Sequence, residues 1–119
     1  MKYLFLAYGD EEQWAVLSTS ERTTFDKAWL TYDLALQESG YLLASAHLQS
    51  DNSVTTVRVH KGELSLTDGP ISPTKQQLVG FYLINARDLN EAVRLAAKMP
   101  QAQRGPIEIR PASALIESP

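Results

Sequence analysis

Apolar side chains crowd the start of the chain. Lys2 to Tyr8 reads Lys-Tyr-Leu-Phe-Leu-Ala-Tyr and stops at Gly9-Asp10. Both alternating sets are apolar, which predicts a strand covered on two faces rather than an edge strand. Ser18 followed by Glu21 has the spacing of a capping box, in which each side chain satisfies the other's free backbone N–H. Phe25, Ala28, Trp29, Tyr32, Ala35 and Leu36 then form one apolar stripe on a helix of about five turns. Gly40 is placed to stop it, and Trp14 and Val16 ahead of the cap predict a short extra turn.

Tyr41 to Leu48 predicts a second strand and Ser50 to Ser53 a turn. From Val54 to His60 the chain alternates, with Thr55, Val57 and Val59 on one face and Thr56, Arg58 and His60 on the other. Lys61-Gly62 makes a tight turn into Glu63 to Thr67, completing a hairpin. A polar run from Asp68 to Gln77 leads to a strand over Leu78 to Ile84, with Val79, Phe81 and Leu83 expected inward. A second helix is capped by Asp88 with Glu91, buries Leu89, Ala92, Val93, Ala96 and Ala97, and ends at Pro100. Gln101 to Gly105 is a loop. Pro106 to Pro111 is a last strand with Ile107 and Ile109 inward, and Ser118-Pro119 is expected to fray.

The predicted order is β-α-β-β-β-β-α-β. Setting the hairpin aside as an insertion leaves βαββαβ, a ferredoxin-like α+β arrangement with two helices on one face of an antiparallel sheet. The other face then needs cover, and Tyr3, Phe5, Tyr82 and Ile84 are the residues expected there. A second copy of the same sheet would bury it, so the expectation is a homodimer through sheet faces, a dimeric α+β barrel.

Composition narrows the function more than the fold. The 119 residues are 44% hydrophobic and 21% charged, ordinary for one globular domain. The net charge is −3 and the six arginines are scattered, against the basic stripe that nucleic-acid binding requires. With no cysteine there is no disulfide, thiolate catalyst or zinc–sulfur site. Neither a signal peptide nor a membrane-length apolar run is legible, so a cytoplasmic protein without membrane or nucleic-acid partners is expected.

The chain also resembles a known family. Thr55-Thr56-Val57-Arg58-Val59, Thr67-Asp68-Gly69-Pro70-Ile71, Lys75, Gly80-Phe81-Tyr82, Ala92 to Pro100 and Glu108-Ile109-Arg110-Pro111 occur in the order and spacing of the YCII-related, or DGPF, domain, from Met1 to Pro111. Three positions depart from the family pattern. Ile71 stands where the motif has Phe, Pro73 where it has an acid, and Gln76 where it has Glu, which removes two carboxylates from the loop. The resemblance implies a dimeric ferredoxin-like α+β barrel with a cleft near the subunit interface. The fold is shared with small-molecule enzymes such as muconolactone isomerase. Members also often accompany extracytoplasmic-function sigma factors, which implies a regulatory context.

The chemistry-bearing residues each carry two readings. Asp68 with Gly69 and Pro70 is either a turn, its carboxylate holding a backbone N–H, or a turn that delivers a base to a cleft. Arg58 and Arg110, with Glu108, are either a surface ion-pair network or an anion pocket, with Lys75 as a mobile second cation. His47 is the better of two histidines for a general base, His60 being at a hairpin end. Two histidines and no cysteine make a metal site unexpected, and no cofactor motif is present. Trp29 is expected in the core, and Tyr82 as a wall of the inter-sheet space. Two functions remain open: an enzyme acting on a small anionic or aromatic molecule, or a non-catalytic ligand-binding or regulatory module.

Overall fold

A computed structural model describes residues 1–49, 53–72 and 74–113. Residues 50–52 of the turn predicted over Ser50 to Ser53, Pro73 and the C-terminal Ser118-Pro119 lie outside the described residues. The elements are β1 (Lys2–Gly9), α1 (Glu11–Ala15), α2 (Thr19–Glu38), β2 (Leu42–His47), β3 (Thr55–His60), β4 (Glu63–Asp68), β5 (Gln77–Asn85), α3 (Leu89–Ala97) and β6 (Ile107–Ala112), with a 3₁₀ turn at Pro100–Gln103. Four strands form one sheet in the order β2-β5-β1-β6, and β3 and β4 pair only with each other. Every pairing is antiparallel. This is the α+β order expected of a ferredoxin-like βαββαβ unit, with β3–β4 inserted between its second and third strands.

The helix starts form as the sequence indicates. Ser18 and Glu21 exchange both capping-box hydrogen bonds at 3.1 Å. At α3 the Asp88 side chain accepts from the Glu91 N–H at 2.9 Å, while Glu91 reaches back one residue further, to the N–H of Arg87. Asp10 caps the predicted extra turn, α1. The Tyr32 hydroxyl on α2 donates to the Leu95 carbonyl at 2.6 Å and ties the two long helices together.

The sheet faces are the reverse of the expectation. Tyr3, Phe5, Tyr82 and Ile84 lie against the helices, in one core with Trp29, Leu36, Ala92, Ala96 and Met99. Register shows why these residues share a face: Tyr3 pairs Ile84, Phe5 pairs Tyr82 and Ala7 pairs Gly80. Alternation separates two sets on a strand but does not say which meets the helices. Here the set containing Gly80 must, because the Trp29 ring packs where a side chain at 80 would stand. Leu4, Leu6, Phe81 and Leu83 therefore occupy the uncovered face, each half-buried. A bulge between Ala7 and Tyr8 turns Val79 out of that set toward Gly9.

Two smaller corrections follow from packing. On α3 the buried line is Ala92, Leu95 and Ala96, continued by Met99 just beyond the helix, while Leu89, Val93 and Ala97 stay exposed. The predicted loop after Pro100 is a 3₁₀ turn that buries Gln101 to 1% exposure. A buried amide needs partners, and its partner is in the site described next.

Candidate functional site

Asp33 lies four residues after Trp29 and three before Leu36, on the inward line of α2. A helix places residues three and four apart on one face, so this carboxylate is carried into the core stripe. Its side chain is 14% exposed. His47 ends the edge strand β2, directly opposite Gly80. Its Nε2 is 3.1 Å from Asp33 Oδ2, and its side chain is 49% exposed. A buried acid thus holds a histidine that is open to solvent. The carboxylate accepts from Nε2–H, which leaves Nδ1 as the ring's basic nitrogen.

Trp29 joins this pair to the core. Its indole lies under the His47 ring, centroids 3.9 Å apart, and its Nε1–H donates to the Tyr82 hydroxyl. Gln101 Nε2 donates to the same hydroxyl at 2.7 Å. With two donors to accept, the phenol keeps its own proton, and the Asp33 carboxylate is the charge nearest in effect to it. Burial pushes the Tyr82 phenol far above its usual range, and the charge of Asp33 adds to that against the pull of the Trp29 and Gln101 donors. It stays a neutral hydroxyl. Asp33 Oδ1 and Gln101 Oε1 are buried without a partner of good geometry, so the polar cluster is incompletely satisfied. A buried polar atom left this way calls for an explanation, and a functional role is one of the few available.

The histidine opens into a cleft of about 600 Å³, lined by His47, Trp29, Trp14, Arg22, Asp26 and Val79 among others. Trp14 and Trp29 line it, and Phe25 packs edge to face with each of them, at 4.6 and 5.7 Å between centroids. The cleft therefore combines a general base candidate, an aromatic wall and a guanidinium. Among the described residues no cluster of three or more His, Cys, Asp or Glu is placed to hold a metal.

Of the residues expected at a site, only His47 lies in this cleft. Pro70 lines a second, neighbouring cleft of about 970 Å³, which shares Leu48, Gln49, Gln77 and Leu78 with the first. Gly69 is the hinge of the Asp68-Gly69-Pro70 turn: its φ is +112°, its N–H donates to the Val54 carbonyl at 2.7 Å, and its carbonyl accepts from Thr56 Oγ1 at 2.7 Å. Asp68 ends β4 exposed, and Lys75 is exposed in the loop beyond. Arg58 is exposed on the hairpin and Arg110 pairs with its neighbour Glu108 on β6, opposite Leu4 on the uncovered sheet face. Tyr82 supports the site from beneath instead of walling the inter-sheet space. The structure does not bring Asp68, Arg58 and Arg110 to one pocket.

Asp33 was missed, although a signal exists. It is a lone acid at the i+4 position from Trp29 within an apolar helical stripe, and a charge there must find a partner.

An antiparallel sheet backed by two helices, with a histidine–aspartate pair at the end of its edge strand, defines the molecule as an α+β protein compatible with a ferredoxin-like fold. Comparison with known proteins agrees. The YCII-related domain model matches residues 1–115. An uncharacterized protein of Rhizobium meliloti (strain 1021) is 34% identical over 113 residues, covering 93% of this chain and 91% of the relative. The chain belongs to the YCII-related domain family.

Proposed function

We propose that the protein binds a small anionic or aromatic molecule in the His47 cleft, and that His47 exchanges a proton with it. The observation that carries this reading is the Asp33–His47 contact at 3.1 Å at the mouth of an aromatic cleft. Asp33 fixes the tautomer and stabilises the imidazolium formed when Nδ1 takes a proton. Arg22 offers a charge-matched fork for a carboxylate, and the Trp14 and Trp29 rings offer flat contact. Asp68, Arg58 and Arg110 leave the site on this reading. The homodimer remains part of it, with Leu4, Leu6, Phe81 and Leu83 as the sheet face that a second copy covers, and the cleft near that interface.

A panel of small aromatic and carboxylic acids, followed by thermal shift, finds the ligand class. Saturation at 100 times the dissociation constant adds roughly 2.7 kcal/mol. Proton transfer is then read as deuterium entering the bound molecule in D₂O. Loss of exchange in His47→Gln with binding retained supports catalysis. Binding without exchange in the wild-type protein leaves the second reading, a non-catalytic ligand-binding or regulatory module, which the loss of acidic residues at Pro73 and Gln76 also favours. No binding by any acid overturns the enzyme reading and favours a regulatory module that engages a protein partner.

A further inference from the structure

The two clefts form one trough with two chemistries. Leu48, Gln49, Gln77 and Leu78 belong to both, so they make the seam where one passes into the other. On the His47 side the lining carries charge of both signs, from Glu11, Arg22 and Asp26, beside the histidine and the two indoles. On the far side every described residue that lines the cleft is uncharged. Tyr8, Val57, Pro70 and Ile71 stand there with serine and threonine hydroxyls and the amide of Gln76.

The walls of this second cleft are tied in place. Gln77 Nε2 donates to the Ser72 and Thr74 carbonyls at 3.0 and 2.6 Å, which staples the loop of one wall to the start of β5. Gly69 ties the Pro70 side to β3 through its hydrogen bonds with Val54 and Thr56. The Leu48 N–H donates to the Val79 carbonyl at 2.9 Å, which holds the seam on β5 one residue beyond His47. At about 970 Å³ the cleft is at the upper end of the roughly 300–1,000 Å³ of small-molecule sites. A charged group entering it meets no counter-charge and loses water, so nothing there rewards one. Apolar surface is rewarded. Leu48, Ile71 and Leu78 are 41%, 78% and 36% exposed along the trough and have free side-chain area to give to such a contact.

We infer that the ligand of the His47 cleft is amphipathic: its acidic or aromatic head sits beside His47 and Arg22, and an uncharged, mainly apolar tail crosses the Leu48–Leu78 seam into the second cleft. This rests on the small-molecule reading proposed above and narrows it from any small acid to an acid with an apolar extension. The Asp68-Gly69-Pro70 turn then has a part to play without supplying a catalytic carboxylate. Through Gly69 it sets the Pro70 and Ile71 wall, which selects the tail.

Benzoic acid, 4-butylbenzoic acid and 4-hexylbenzoic acid are titrated by calorimetry into wild type, Ile71→Glu, Gln76→Glu and Arg22→Gln, with 4-hexylbenzyl alcohol as the probe without an acid. Ile71 and Gln76 are exposed and outside the His47 cleft, and circular dichroism checks that both variants are folded. In wild type each methylene of the tail should tighten binding about two- to fourfold. The two wall variants should bind benzoic acid as wild type does and bind the hexyl acid at least about tenfold more weakly. Arg22→Gln should weaken all three acids by one common factor. Affinity that does not rise with tail length, in a protein that binds benzoic acid, overturns the tail site and leaves the His47 reading standing. A tail gain kept in full by both folded wall variants also overturns it, by placing the tail elsewhere. If the alcohol binds as tightly as the hexyl acid, the head contributes nothing and the amphipathic ligand is overturned. No binding of any of the acids overturns the small-molecule reading itself, and the tail site with it.

Discussion

The imidazole of His47 lies over the indole of Trp29, with centroids 3.9 Å apart and planes inclined by 31°. One tryptophan therefore touches the solvent-facing member of the polar cluster with its ring face and the buried member, Tyr82, with its N–H. Strand β2 and helix α2 are fixed against each other at this point, and any change of charge on His47 is felt by the ring beneath it.

That proximity gives an optical readout. An imidazole stacked on an indole alters its emission, so Trp29 emission should change when His47 is removed. The chain has two tryptophans, and Trp14→Phe removes the other one. In that background His47→Gln should shift the intensity of the remaining emission at constant pH. Unchanged emission in Trp14→Phe/His47→Gln would mean that the stack is not maintained in solution.

Tyr82→Phe should be more harmful than the loss of one oxygen suggests. The Trp29 N–H and the Gln101 amide both donate to that hydroxyl in the core. Removing it strands two buried donors, and one such orphan costs about 1–3 kcal/mol. A loss of about 3 kcal/mol is expected in urea unfolding, with the denaturant slope unchanged. Gln101→Leu in the Tyr82→Phe background should recover part of it, because a matched apolar pair leaves fewer orphans.

How much of this could be read beforehand follows from period and composition. Ser18 with Glu21, Asp88 and the Lys61-Gly62 turn act through neighbours a few residues away, so their roles are visible in the string. The face of the sheet is not, since Leu4, Leu6, Phe81 and Leu83 are as apolar as Tyr3, Phe5, Tyr82 and Ile84. What separates the two sets is Gly80, which matters only once Trp29 is known to cross it. The site is less legible still. Asp33 and His47 are fourteen residues apart with a helix end between them, and only the β2–β5 register sets the histidine beside the helix. The Asp68-Gly69-Pro70 motif drew attention by its chemistry, and its place in the fold is a hinge at the base of the hairpin.

The two helix caps predict the shape of the acid limb. Glu21 is held below its ordinary 4.5 by its hydrogen bonds to Ser18, and Asp88 below 3.8, chiefly by the Glu91 N–H and then by Arg87 and Arg94. A carboxyl depressed in the folded state gives stability that is present above its unfolded value and lost as pH falls through the folded one. Stability should thus decline from about pH 4.5 downward as these caps protonate. Glu21→Gln with Asp88→Asn keeps capping oxygens without a titrating proton. The variant should be less stable than wild type near neutrality, lose less between pH 4.5 and lower values in thermal melts, and so converge with wild type in acid. A parallel decline would assign the acid limb to other groups.

Gly80→Ala tests whether the fold and the site share one tight contact. A methyl group there would sit 3.2 Å from the Ala46 carbonyl oxygen and 3.5 Å from Trp29 Cζ2. Both neighbours bear on His47, because Ala46 precedes it on β2 and Trp29 lies beneath its ring. The approach to the indole is ordinary contact, but the one to Ala46 is close enough that β2 must give by a few tenths of an ångström, which costs about 1 kcal/mol in a packed core. Gly105→Ala is the contrast, since its methyl would run into the Tyr8 carbonyl oxygen and backbone that cannot yield. Gly105→Ala should lose about 3 kcal/mol or fail to fold. Gly80→Ala should fold with a small loss in urea and a smaller change in Trp29 emission on His47→Gln. If the emission change keeps its full amplitude in Gly80→Ala, the histidine stack does not depend on the close approach of helix to sheet.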